Sequence, residues 1–256
     1  NNSVVTLSPQ FTEYPRFRIE AGNGSDNNRV LQTSVPITIN RDVRMDRGPK
    51  FRINHDVTIK DDLRITWQAN NRTSVELGDN QAVTLRVEGD LRLEDGSGNG
   101  PARLIVKNDN QNSYVHRVQV GGNVEIEDLN ASQSSLDLYN GAAPNNNAIL
   151  EFIGEGQHTF TNASTLIPEL YRIEMNKGSS RVNSMSLESN LTLNGPTSGV
   201  GVKKAIEINN GTLRFNHPSI NLALTTGDDS FVIPSSGGIQ GPQGLVTVSG
   251  DDFGIL

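Results

Sequence analysis

The sequence predicts an all-β solenoid, and three observations predict it. A short phrase of alternating apolar residues recurs along the chain, its interruptions are Gly, Asn and Asp, and a sustained helical period is hard to find. Around "LESNLTLNG", residues 187 to 195, Met185 and Leu187, then Leu191 and Leu193, stand two apart on either side of a polar turn, and the phrase ends in Asn-Gly. Period-two alternation turns one face of a short strand toward a core, and such turn residues accept positive φ cheaply.

Residues 1–36 are expected to form N-terminal strands, a cap or a junction with a preceding region, and residues 37–256 the solenoid repeats. "ITINRDVRM", residues 37 to 45, carries the first phrase. Next come Phe51 and Ile53 ahead of Val57 and Ile59, Leu85 and Val87 ahead of Leu91 and Leu93, and Val118 and Val120 ahead of Val124 and Ile126. Leu150 and Phe152 precede His158 and Phe160, Met185 and Leu187 precede Leu191 and Leu193, and Ile206 and Ile208 precede Leu213 and Phe215. The second pairs begin at 57, 91, 124, 158, 191 and 213, giving steps of 34, 33, 34, 33 and 22. The last step reads as a bare coil; the longer ones read as coils with an excursion such as "EDGSGNGPA" or "NGAAPNNNA". Irregular coils of about 22–34 residues follow. The phrase at residues 37–45 breaks this register, falling only 14 residues before Val57.

A β-sandwich or jelly-roll tandem is the alternative, although a sandwich has no reason to keep a fixed sequence period. "TLIPELYRIEM" reads as a strand through Leu170, Ile173 and Met175; a single helical turn near Pro168 is the other reading. The expected inward core is Val57, Ile59, Leu91, Leu93, Val124, Ile126, Leu191, Leu193, Leu213 and Phe215.

With 256 residues the chain is long enough for a sizeable core. Its net charge of -7 comes from 22 basic and 29 acidic residues, interspersed rather than segregated. No basic stripe suits a nucleic-acid backbone, and no polybasic run suits an anionic membrane. The absence of cysteine removes disulfides and thiolate metal sites. No run approaches the roughly 20 apolar residues of a membrane span. The start lacks an initiator Met, a basic n-region and an apolar h-region, and the end is abrupt, so a mature or excised piece of a larger protein is expected.

"DGSGNG", with Asp95, Ser97 and Asn99, begins like an oxygen-rich Ca²⁺ loop, but its twelfth position is Val106 in place of the bidentate carboxylate. A plain surface loop is the favoured reading, and Ca²⁺ is the one cofactor the sequence brings up. The pairs Asp61/Asp62, Glu94/Asp95 and Glu127/Asp128 each follow an apolar pair, so stacked coils could gather them into one acidic row. Arg64, Arg92 and Lys107 nearby favour a solvated edge that discourages lateral strand pairing, ahead of cation binding or polysaccharide hydrolysis. His55, His116, His158 and His217 show no ligand spacing, and no G-x-S-x-G elbow occurs. Trp67, Tyr14, Tyr114, Tyr139 and Tyr171 lack a regular interval, which favours core or edge filling over a sugar platform.

The stretch from Phe160 to Asn216, "FTNASTLIPELYRIEMNKGSSRVNSMSLESNLTLNGPTSGVGVKKAIEINNGTLRFN", resembles the repeat of large surface proteins of gliding and related Bacteroidota-type bacteria. It shares an aromatic, a short link, a strand ending in Asn-Lys, then Asn-Leu-Thr-Leu-Asn-Gly and a Gly-Thr-Leu turn. The resemblance implies a right-handed parallel β-helix in the non-catalytic stalk or filament of an exported adhesin, often carried by the type IX route and supporting attachment or surface motility. It implies an extracellular, cell-surface location and no catalytic residue. The expected partners are adjacent repeats of the same long protein and, through other parts of that protein, a surface polysaccharide or a solid surface. A β-helix polysaccharide-active enzyme or carbohydrate-binding module is the alternative.

Overall fold

The computed structural model describes residues 3–20, 29–66, 72–94, 100–107, 112–127, 133–141, 144–195, 205–225, 231–249 and 253–255. Every strand pairing in it is parallel, and the chain winds as a parallel β-helix with three faces, A, B and C. One coil contributes one short strand to each face. The second coil does so with Val30–Gln32, Ile37–Ile39 and Val43–Asp46, and the third with Lys50–Ile53, Val57–Ile59 and Leu63–Thr66. The first coil, with Val4–Thr6, Glu13–Tyr14 and Phe17–Glu20, already pairs with the second on all three faces. Face A runs through eight strands, and faces B and C join into one sixteen-stranded sheet because a single strand, Ile206–Phe215, serves both. Gly211, at φ +81°, lies between its two halves.

Alternation along each strand builds the core. Ile37, Val57, Leu85, Val118, Leu150, Ile173 and Ile206 stand in register inside face B, and Val43, Leu63, Leu91, Val124, Phe160, Leu187 and Phe215 inside face C. Phe51, Val75, Leu104 and Leu136 do the same inside face A. All of these are buried, each stabilising the fold by roughly 1.5–3 kcal/mol. A single coil cannot cover these faces, so each coil depends on its neighbours. The "TLIPELYRIEM" stretch is strand, at Glu169–Leu170 and Arg172–Asn176.

The coils are less regular than a 33-residue step. Val43 pairs with Leu63, twenty residues on, and Val124 with Phe160, thirty-six on. The phrase at residues 37–45 is a coil in its own right: Ile37 and Ile39 stack on Val57 and Ile59, and Val43 and Met45 on Leu63 and Ile65.

Candidate functional site

The ten expected core residues fall on different faces. Val57 and Ile59 lie on face B, Leu91, Leu93, Val124, Ile126, Leu213 and Phe215 on face C, and Leu193 on face A, with Leu191 just before it. Nine are buried, and Leu193 is partly buried against the core. Asp95, Ser97 and Asn99, the Ca²⁺ candidates, lie outside the described residues, as do Asp128 and Trp67. Among the described residues no group of three His, Cys, Asp or Glu is placed to hold a metal ion. No helix there is long and apolar enough to cross a membrane.

The acidic residues do not form one row. Asp62 precedes its face C strand, whereas Glu94 ends one, so the two stand at opposite edges of the face. Asp62 belongs to a corner column in which each side chain caps the backbone of the coil beyond. Its Oδ1 accepts from Asp90 N at 2.9 Å, Asp90 Oδ1 from Asn123 N at 2.7 Å, and Asn123 Oδ1 from Thr159 N at 3.0 Å. Burial opposes ionisation of Asp90, yet the Arg92 guanidinium and the Asn123 N–H together hold its carboxyl below the usual range.

Between the two edges runs an arginine column, Arg18, Arg44, Arg64 and Arg92, in register on four successive coils. Acids on either side pair with it: Arg44 with Asp46 at 3.0 Å, Arg64 with Asp62 at 3.5 Å, and Arg92 with Asp90 at 2.7 Å. The sequence signal is the repeated "DVRMD", "DLRIT" and "DLRLE". Arg44 is partly exposed but Asp46 is only 2% exposed, so Arg44→Ala, which leaves that carboxylate with Arg18 at 3.7 Å, is expected to cost about 1–3 kcal/mol in chemical denaturation.

Face B carries a tighter network. Glu151, Glu174 and Glu207 are stacked partners on three coils, and Glu151 and Glu174 are only 4% and 6% exposed. Arg117 pairs with Glu151 at 2.7 Å and also with Glu174, and Arg172 with Glu174 at 3.0 Å and also with Glu207. Gln119 and Asn176 donate to Glu151 at 2.8 and 3.1 Å. Burial works against the charge on Glu151, but these donors hold its carboxyl below the usual range. A carboxylate so fixed stays ionised and makes a poor general acid.

Two buried bases complete the polar interior. Lys177 is fully buried at the corner between faces B and C. Its Nζ donates to Gly121 O at 3.2 Å and Ile153 O at 2.9 Å, and lies 2.8 Å from His158 Nδ1. His116, 1% exposed, accepts from Val83 N at 3.2 Å through Nδ1, and its Nε2 has no partner. Burial lowers its pKa to about 4. The unfolded chain therefore takes up this proton first, and stability is expected to fall by up to about 3 kcal/mol as pH drops from about 6.5 toward 4. Denaturation across that window, compared with His116→Asn, checks this; equal slopes in the two proteins would refute it.

Compared with protein-family models, with curated proteins and with solved structures, the chain matches none.

Proposed function

We propose that this chain is a non-catalytic stalk or filament segment of an exported bacterial surface adhesin, supporting attachment or surface motility. One observation carries the reading: parallel pairing links successive coils on all three faces from Val4–Thr6 to Ile206–Phe215, with one register shift at Met175/Asn176, so the backbone hydrogen bonds point along the stack. Side-chain bonds cross the same gaps, from the Asp62–Asp90–Asn123 column to the Lys177 clasp. A rod built this way holds a binding tip away from the cell, and its acidic residues on faces B and C act as ion-pair partners between coils. The cell surface is the place for such a part, with adjacent repeats as its neighbours and a polysaccharide or solid surface met by other regions.

Removing whole coils from the protein displayed on its own cell is the test. Export should persist while attachment to the surface falls. Attachment at the original level with shortened stacks would overturn the reading.

A further inference from the structure

Face A contains a place where the matching of charge along the stack stops. Asp137 and Glu169 are direct partners on neighbouring coils, about 4.8 Å apart by the spacing of paired strands. Like charges directly opposite on one face are destabilising. Elsewhere stacked carboxylates meet a cation: Glu76 meets Lys50 and Arg52, Asp90 meets Arg92, and Glu174 meets Arg117 and Arg172. Among the described residues neither Asp137 nor Glu169 has an ion-pair partner. Burial and then Glu169 push the Asp137 carboxyl above the usual range, against the Tyr139 N–H, which donates to its Oδ1 at 3.4 Å, and the charge of Arg103.

An aromatic pair stands beside the carboxylates. Tyr139 and Tyr171 follow them by two residues, and Leu138 and Leu170 between them turn into the core. The two rings are parallel to within 9°, with centroids 6.4 Å apart. Both side chains are half-buried, and among the described residues nothing hydrogen-bonds either phenol. Among the described residues, two carboxylates without an ion-pair partner and two parallel rings whose hydroxyls make no hydrogen bond therefore lie side by side across one pair of coils.

We propose that Asp137, Glu169, Tyr139 and Tyr171 form a binding site for an amino sugar of a glycan laid along the stack, its ammonium between the carboxylates and its ring on the tyrosines. The ammonium removes the repulsion between Asp137 and Glu169. The tyrosine rings attract a cation through their quadrupoles, offer apolar area to the flat sugar frame, and present hydroxyls that donate to and accept from its own. A neutral sugar leaves the like charges uncompensated, and a peptide lysine on its flexible stem leaves the ring faces uncovered. This site is independent of the stalk reading.

Calorimetric titration of the intact chain tests it, with glucosamine oligomers, N-acetylglucosamine oligomers of equal length, and oligolysine, at a mildly acidic pH. Glucosamine oligomers should bind about tenfold or more tighter than either other probe, and salt should weaken them. Asp137→Asn with Glu169→Gln should lose about tenfold or more in affinity while melting no lower than the parent, since the exchange removes a repulsion. Tyr171→Ala should lose binding as well. Equal binding of acetylated oligomers, tighter binding of oligolysine, no binding of glucosamine oligomers, or affinity unchanged in these variants would each overturn the assignment.

Discussion

Gly121→Val is expected to open the stack at the corner between faces B and C, with a loss of about 3 kcal/mol or more. A Cβ at Gly121 would stand 2.2 Å from Glu88 O and 2.9 Å from Glu88 C, both backbone atoms of the coil below. No rotamer change relieves that overlap. Gly121 N donates to Val87 O at 2.9 Å and Gly122 N to Gly89 O at 2.9 Å, so the coils are drawn together where the side chain would push them apart. Gly121 is absent from the positive-φ glycines, which makes the requirement one of space rather than of backbone conformation. Denaturant unfolding, with amide exchange at Leu91–Leu93 and Val124–Ile126, measures the effect. A variant unfolding with the parent's midpoint would mean that the corner has slack.

Gly-Gly at 121–122 was legible as a turn, and pairs such as Leu91/Leu93 were legible as strands, because alternation and turn chemistry are local. Register was not. Each coil holds up to three chemically similar apolar pairs, joined by excursions of changing length, so equal steps in the sequence connect strands that are not equivalent. Steps of 34 and 33 residues lead from Val57 on face B to Leu91 and Val124 on face C. The stretch at residues 37–45, only 14 residues before Val57, opens the shortest step in the stack on face C. The same cause hid the side-chain clusters. Asp137 and Glu169 stand thirty-two residues apart, and an excursion separates them, so only the fold makes them neighbours. The arginine column had a readable signal in its D-h-R spacing, whereas a lysine such as Lys177 reads as a surface residue until the coils close over it.

Lys177→Ala is expected to destabilise the chain by about 3–5 kcal/mol, because one side chain ties three coils together. Gly121 and Ile153 belong to the two coils preceding that of Lys177, and both carbonyls lose a donor when Nζ is removed. The emptied stem adds a cavity beside Gly211, whose own Cβ position lies 2.9 Å from Lys177 Cβ. Lys177→Met keeps the stem and removes only the ammonium, which separates packing from charge. Burial lowers the Lys177 pKa to about 8 from its ordinary 10.5. Below about pH 8 the folded and unfolded chains both carry the proton, and the buried charge is at its most costly. Between about 8 and 10.5 the folded chain has released a proton that the unfolded chain still holds, so stability rises with pH, by at most about 3 kcal/mol. The two carbonyls that accept from Nζ favour its charged form, oppose the shift and make that figure a ceiling. Lys177→Met, which leaves no amine at this corner to titrate between about pH 8 and 10.5, should lack the rise. Parallel stability curves for the parent and the Met variant from pH 7 to 10.5 would show that the corner holds its proton as tightly as open water does.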